Sequence, residues 1–357
     1  MSPSPGFWRG KRVLLTGHTG FKGAWLGHWL ARLGASVSGL ALAPDTEPSL
    51  FRQSGLEARL TSRLGDIRDL DIVRRSVAAA RPEIVLHLAA QALVRRSYAD
   101  PIGTFATNVQ GTAHVLEACR GVDGLRVIVS VTSDKCYQER AHAAPYREDD
   151  PLGGGDPYST SKAGAELVTA SWRRAFFATA TPPVAVATAR AGNVIGGGDW
   201  SADRLIPDCV RAFAAGKPVE LRNPRAVRPW QHVLEPLSGY LVLAERLWTD
   251  ASAAEGWNFG PVDGDALPVS AVVERVATRW GGGAAWTVQP GEHPHEAAEL
   301  RLDSTKARTR LGWAPRLGIE QALDWTIDWY RRSAAGESAA ALIEAQLAAY
   351  ATQGVPA

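Results

Sequence analysis

The sequence predicts an α/β protein, a doubly wound parallel sheet with helices on both faces and a smaller, mixed C-terminal domain. Three features predict it. Apolar runs of strand length alternate with helically periodic segments up to about residue 190, and a glycine-rich turn joins the first run to the first helix. The alternation then gives way to glycines, prolines and scattered tryptophans. Strands separated by helices need crossover connections, which make consecutive strands parallel.

In chain order, Arg12-Val13-Leu14-Leu15-Thr16 is a short apolar run of a buried strand. Phe21–Leu33 places Ala24, Trp25, His28, Trp29, Leu30 and Leu33 at helical spacing, and Gly34 stops it. Strands follow at Ser36–Leu42, Leu60–Leu64, Ile84–Leu88, Val127–Thr132 and Val184–Ala187. Helices fall at Leu70–Ala80, about Thr104–Arg120 and about Tyr158–Phe177. Residues 1–190 thus form the first domain and 191–357 mainly the second. Trp257-Asn258-Phe259-Gly260 reads as a strand end that returns to the first sheet, within a stretch around 230–262. The alanine-rich tail after Arg332 predicts a helix and a frayed end, and most of the 13 tryptophans read as core or interface anchors.

The 357 residues, 45% hydrophobic and 21% charged, exclude disorder, collagen and coiled coil. A net charge of +2 offers no electrostatic footprint for nucleic acid or an anionic membrane. There is no apolar run of about 18 residues and no apolar signal region in Met1–Arg12, so a cytoplasmic, membrane-free protein is expected. Cys119, Cys136 and Cys209 are odd in number and lack metal-ligand spacing, which predicts reduced thiols and no metal. Positive charge is carried by arginine. Only six of the 39 basic residues are lysines, at 11, 22, 135, 162, 217 and 306.

Gly17-His18-Thr19-Gly20-Phe21-Lys22-Gly23 joins the first strand to the first helix, with glycines three apart. Such glycines permit a tight turn and close backbone approach, and the helix N-terminus offers amides to a pyrophosphate, so the loop predicts dinucleotide binding. Ser38–Leu42 supplies no acidic residue for an adenosine ribose, and Lys22 suits either a ribose phosphate or a pyrophosphate. The loop chemistry leaves NAD and NADP open. Tyr158 and Lys162 stand four apart, hence on one face of a helix. A phenol of pKa about 10 becomes a base near neutrality only if a cation beside it lowers that value.

These features resemble the extended short-chain dehydrogenase/reductases, the NAD-dependent epimerase/dehydratase family. The resemblance narrows to the CDP-D-glucose 4,6-dehydratase branch on longer motifs: Phe7-Trp8 with Gly10-Lys11-Arg12, the glycine loop, Ser133-Asp134-Lys135-Cys136-Tyr137 and Gly153-Gly154-Gly155-Asp156-Pro157-Tyr158. Further along lie Arg190-Ala191-Gly192-Asn193-Val194-Ile195-Gly196-Gly197-Gly198-Asp199-Trp200, Arg228-Pro229-Trp230-Gln231-His232-Val233 and Trp257-Asn258-Phe259-Gly260-Pro261. They span residues 7 to about 313.

The resemblance implies a Rossmann-type first domain that binds NAD and a C-terminal domain that binds CDP-D-glucose. Cofactor contacts are then expected from Gly17, His18, Gly20, Phe21, Lys22 and Gly23, from Asp66 and Ile67 beside the adenine, from Leu88, Ala89 and Ala90 beside the nicotinamide, and from Asn108, Tyr158 and Lys162. Ser133, Tyr158 and Lys162 would oxidise C4 of the sugar, with Asp134 as general acid toward the 6-hydroxyl. Lys135 departs from the broader dehydratase pattern, which has glutamate as the C5 base. A lysine beside an aspartate stays protonated unless desolvation or another cation lowers its pKa, so its alternative role is that of a charge partner for Asp134 or the substrate. Asn193, Arg204 and Arg228 are candidates for the diphosphate, since guanidinium pairs bidentately with phosphate oxygens. Gln91, His232, His293 and His295 lie in matching segments and complete the substrate set. A homodimer or homotetramer is implied through the helices around Thr104–Arg120 and Tyr158–Phe177.

Two rival readings remain at this stage. One is a 4-epimerase, or a dehydratase of another nucleotide sugar; the other is a catalytically silent dinucleotide sensor or scaffold. Nothing in the residues separates cytosine from other bases.

Overall fold

In the computed structural model, residues 2–140, 144–261, 264–291 and 299–354 are described. The central sheet has seven strands, β1 (Arg12–Thr16), β2 (Ser36–Ala41), β3 (Thr61–Leu64), β4 (Ile84–His87), β5 (Val127–Val131), β6 (Ala185–Ala191) and β7 (Gly256–Phe259), in the order β7-β6-β5-β4-β1-β2-β3. Every pairing is parallel. The doubly wound sheet expected from the sequence is the one observed, and its topology reverses between β1 and β4, where such sheets open a crevice at their carboxyl ends.

Alternation along the strands explains why both faces are covered. Val13 and Leu15, Ile84 and Leu86, and Val127 and Val129 enter one hydrophobic cluster, whereas Leu14, Val85 and Ile128 enter another on the opposite face. Helices Phe21–Arg32 and Leu234–Thr249 supply Trp25 and Leu241 to the first cluster. Leu70–Ala80 and Gly111–Ala118 supply Val73 and Val115 to the second. The first cluster also takes in Trp230, Trp257, Trp313 and Trp329, so the C-terminal part of the chain is packed through the same core as the sheet.

The helix expected over 104–120 is instead three pieces: Pro101–Phe105, a π-helical turn Ala106–Gln110, and Gly111–Ala118. The helix expected to reach Phe177 runs over Pro157–Trp172 and also ends in a π turn, Arg173–Phe177. Its start is set locally. The Asp156 carboxylate accepts the Ser159 amide at 2.9 Å, and Pro157 occupies the first turn, where its missing N–H costs nothing. The tail is more ordered than its composition suggests. Ala339–Thr352 is a helix whose Tyr350 ring meets Trp29 edge to face at 5.6 Å, and whose Glu344 bridges Arg32 and Arg59.

Candidate active site

A cavity of about 980 Å³ opens across the carboxyl ends of the strands. Its floor is the glycine loop after β1. Gly17 has φ +78°, and a Cβ there would fall 2.8 Å from the Ala89 amide nitrogen; one on Gly23 would fall 2.0 Å from the Gly17 carbonyl oxygen. The loop is therefore folded too tightly for side chains, which leaves the first-turn amides of Phe21–Arg32 free to meet an anion. Gly20, Phe21, Lys22, Asp66, Ile67, Leu88, Ala89 and Ala90 join it in the lining. Arg68 grips Asp66 at 2.6 and 2.8 Å, holding its carboxyl below the usual range.

The catalytic candidates converge in the middle of this cavity: Ser133, Asp134, Lys135, Tyr158 and Lys162 all line it. Adjacent residues on an extended strand point apart, but a 3₁₀ turn over Asp134–Cys136 follows β5 and brings 134 and 135 to the same space. Ser133 caps that turn, its Oγ accepting the Lys135 amide at 3.2 Å. It also donates to Asp134 Oδ1 at 3.1 Å, and its nearness opposes the upward pull of burial on the Tyr158 phenol. Asp134 Oδ2 is buried and has no partner among the described residues.

Burial dominates the electrostatics. It raises the Asp134 carboxyl despite Lys135 beside it. Burial also lifts the Tyr158 phenol to about 12 against the opposing pull of Arg204, and lowers the Lys162 ammonium to about 8. Lys162 Nζ donates to the Val131 carbonyl at 3.5 Å. Lys22 turns inward: its Nζ lies 3.1 Å from the Tyr240 hydroxyl, and burial, with Lys162 and Arg204 nearby, lowers it to about 7.

The turn is anchored from behind by a buried network that the sequence did not reveal. Glu166, on helix Pro157–Trp172, pairs with Arg190 of β6 at 2.8 Å and accepts the Thr188 hydroxyl at 2.7 Å and that of Thr132. Arg190 donates to the Tyr137 hydroxyl at 2.7 Å, which in turn donates to Asn258 Oδ1 of β7 at 2.6 Å. A Glu–Arg pair separated by 24 positions and facing inward from a helix and a strand has no local sequence signature.

Of the diphosphate candidates, Asn193, Arg204 and Arg228 line the cavity; Arg228 is 4% exposed, and Arg204 Nη2 donates to the Ala92 carbonyl at 2.9 Å. Arg95, Asp203, Lys217, Arg222, Asn223 and Trp230 also line it and were not foreseen as site residues: Arg95 sits on the short helix Val94–Ala99 and the others on or beside short strands and loops without periodicity. Gln91 lines the cavity too, although its amide is engaged by Leu93 and Thr104.

Three expected contacts stand elsewhere. His18 lies under the loop, Nε2 at 2.8 Å from Ser62 Oγ and its ring against Phe51. Asn108 lies outside the lining and fastens Gln91 by accepting its amide at 2.8 Å and donating to its carbonyl at 2.9 Å. His232 is fully buried between Trp25 and Trp325. His293 and His295 fall outside the described residues. The three cysteines are buried and unpaired; burial pushes the Cys136 thiol well up, so this neighbour of the catalytic turn is inert packing.

Comparison with known proteins agrees with this geometry. The family model described as GDP-mannose 4,6 dehydratase matches residues 14–326. The chain is 52% identical over 335 residues to the CDP-glucose 4,6-dehydratase of Salmonella typhimurium, covering 93% of each chain. A solved double mutant of the dTDP-glucose 4,6-dehydratase of Streptomyces venezuelae, with NAD bound, superposes with a TM-score of 0.78 at 25% identity over 91% of this chain and 98% of that one. The UDP-glucose 4-epimerase of Thermotoga maritima shares the fold, with a TM-score of 0.79 at 22% identity over 90% and 99% of the two chains.

Proposed function

The chain belongs to the GDP-mannose 4,6 dehydratase family, and from that premise we propose a reaction and a role for each residue of the cavity. The protein is an NAD-dependent nucleotide-sugar 4,6-dehydratase, a lyase that converts CDP-D-glucose to CDP-4-keto-6-deoxy-D-glucose and water. When bound, NAD would supply the redox chemistry, a hydride acceptor for C4 and, once reduced, a hydride donor for C6. The tight glycine loop and its first-turn amides suit the pyrophosphate of that cofactor, while Asp66, Ile67, Leu88, Ala89 and Ala90 surround the rest.

In this reading Tyr158 takes the 4-hydroxyl proton, Ser133 hydrogen-bonds the carbonyl that forms at C4, and Lys162, which lines the same cavity, is assigned with the positive nicotinamide to stabilise the phenolate, alongside the pull of Arg204. The new carbonyl acidifies the C5 hydrogen. Lys135 removes it while Asp134 protonates the departing 6-hydroxyl, and Arg228, Arg204 and Asn193 hold the diphosphate. The observation that carries the reading is the placement of Asp134, a buried carboxyl hydrogen-bonded by Ser133, in the same turn as Lys135 and in one cavity with Tyr158. A simple 4-epimerase has no use for that acid.

A panel of nucleotide-glucose substrates with added NAD tests this. The CDP sugar should give a 4-keto-6-deoxy product, with label placed at C4 found at C6 of the same molecule and solvent deuterium at C5. Absence of that transfer, or a C4 epimer as product, would remove the reading.

We further infer a homodimer or homotetramer. Ile102 (79% exposed) and Phe105 on Pro101–Phe105, with Leu167 (60% exposed) and Phe176 on the neighbouring helix, present an exposed apolar face. A cytoplasmic site of action fits the unpaired thiols. Among the described residues no helix is long and apolar enough to cross a membrane.

A further inference from the structure

The two strands between which the sheet reverses end in a pair of buried polar residues that no step of the dehydration uses. Thr16 closes β1 and His87 closes β4, side by side in the parallel register, and both are buried. Thr16 leads into the glycine loop, and His87 leads into Leu88, Ala89 and Ala90 of the cavity wall. The two walls touch at this point, where the Gly17 backbone lies so close to Ala89 that a Cβ would clash.

Counting donors fixes the protons around the imidazole. The Leu88 and Ala89 amides both donate to Thr16 Oγ1 at 3.1 Å, so this hydroxyl gives its own proton to its third neighbour, His87 Nδ1 at 2.7 Å. Nδ1 is therefore the acceptor, and Nε2 carries the hydrogen. The far side agrees. Thr112 Oγ1, 3.1 Å from Nε2, donates to the Asn108 carbonyl at 2.7 Å and so receives from the ring. Burial, with Lys162 nearby, lowers the ring to about 3, which keeps it neutral. Asn108 completes a circuit. It holds the Gln91 amide and carbonyl and donates to Ser161 Oγ at 2.9 Å, which itself donates to the Tyr158 carbonyl at 2.7 Å. Segment 88–91 is thus tied at its start to Thr16 and at its end to Asn108, and His87 spans the gap between those two anchors.

We propose that His87 is a positioning residue whose two ring nitrogens have separate tasks: Nδ1 holds the glycine loop against segment 88–91, where the cofactor would lie, and Nε2 keeps that segment in register with the helix of Tyr158 and Lys162. The second task rests on the dehydratase reading. His87 is not among the residues that line the cavity, so it acts through its neighbours. Loss of the first bond frees the Thr16 hydroxyl to turn and loosens the loop before the cofactor arrives, which lowers affinity. Loss of the second leaves loop and wall joined but lets the catalytic helix drift, and a small misplacement of reacting groups slows transfer strongly.

Two substitutions divide the ring. His87→Asn sets an amide oxygen near the place of Nδ1 but stops short of Thr112, whereas His87→Gln brings an amide nitrogen to the place of Nε2 without an acceptor at Nδ1. Titration calorimetry without sugar reads NAD affinity. Hydride transfer is read from kcat and from the isotope effect of C4-deuterated CDP-D-glucose at saturating NAD, per folded site. His87→Asn should keep the NAD Kd within about threefold and lower kcat by about tenfold or more, with an enlarged isotope effect. His87→Gln should raise Kd about tenfold, the worth of one hydrogen bond, and keep kcat within about threefold. Thr112→Val, which removes the second bond and leaves the ring, should repeat the His87→Asn result. A merely structural histidine would lower Tm and leave both constants unmoved. That outcome, or constants that move together in both histidine variants, overturns the proposal. Should those variants fail to fold, nitrogen NMR of the histidine-labelled wild type decides, with His87 identified by its response to Thr112→Ser. A proton on Nε2 and no titration between about pH 5 and 8 sustains the proposal, and a proton on Nδ1 or a titration in that range overturns it. A wild type that binds NAD yet dehydrates no nucleotide sugar overturns the dehydratase reading alone, and affinity and spectra still decide the role of His87.

Discussion

Replacing Arg190 by methionine should cost far more than a surface ion pair would. Glu166 and Arg190 are only 4% and 5% exposed, and the carboxylate would remain in the protein interior with just the Thr132 and Thr188 hydroxyls to hold it. Breaking a buried pair by removing one partner typically costs about 3–5 kcal/mol. The two retained hydroxyls put this case near the lower figure. For a chain of this size, with an unfolding entropy of about 2.1 cal/mol/K per residue, a loss of about 3 kcal/mol lowers Tm by roughly 4 °C. In the wild type burial would raise the Glu166 pKa, but Arg190 and the threonines outweigh it and hold the value below the ordinary one. A depressed carboxylate contributes stability above its unfolded pKa of about 4.3 and loses it as pH falls through the folded value. In Arg190→Met the sign reverses. Burial then raises Glu166 above the unfolded value, so the deficit is largest near neutrality and narrows as acid protonates the group. Calorimetry of wild type, Arg190→Met and the double variant Arg190→Met/Glu166→Gln, at pH 7 and pH 5, measures this. The double variant should recover most of the loss. A single variant within about 1 kcal/mol of wild type, in the range of a surface pair, or a double variant no more stable than the single, refutes the reasoning.

Asp134→Asn should still oxidise the sugar at C4 yet stall before water is lost, seen as accumulated reduced cofactor with no 4-keto-6-deoxy product. Gly23→Ala places a Cβ 2.0 Å from backbone, so NAD affinity and thermal stability should both fall, whereas Gly20→Ala meets only Gly17 oxygen at 3.5 Å and should lose affinity with little change in Tm. Lys135→Arg and Lys162→Arg should each lower kcat at least tenfold, because guanidinium neither yields a proton near neutrality nor offers a compact ammonium. Lys11→Arg should leave kcat within twofold: Lys11 Nζ sits over the Trp248 ring at 4.4 Å, a contact that arginine also makes.

The sheet was legible because its strands carry their burial in the local pattern. Val13, Leu14 and Leu15 are apolar in succession, as a strand covered on both faces requires, and the helix Leu70–Ala80 has the bounds that its spacing suggests. Residue type pointed to the turn that lines the cavity, since Ser133-Asp134-Lys135 follows a strand and Tyr158 starts a helix. Direction was not legible. His18, Asn108 and His232 belong to the right segments but face Ser62, Gln91 and a pair of tryptophans. The Glu166–Arg190 pair and the Lys22–Tyr240 contact join positions 24 and 218 residues apart, and only the packed core brings them together. The same holds for the wall formed by Asp203, Arg222 and Trp230, whose short strands and loops are fixed by tertiary contacts.

The seam between helices Phe21–Arg32 and Ala339–Thr352 sets an order of events during synthesis. Trp29 meets Tyr350, Arg32 meets Glu344, and Tyr350 donates to Glu235 Oε2 at 2.9 Å. The helix that carries the cofactor loop, Phe21–Arg32, is made long before its outer cover, Ala339–Thr352. At a translation rate of roughly 5–20 residues per second, the nascent helix waits roughly 15–65 s for that cover to be made. Until then the apolar side chain of Trp29 faces the cell, and the ribosome still holds the residues that will bury it. The seven strands, complete at Phe259, can therefore pair on the ribosome before this face is sealed. A stop codon or frameshift within Ala339–Thr352 would expose the back of the cofactor helix, a site of damage more than 300 residues earlier in the chain than the lesion itself.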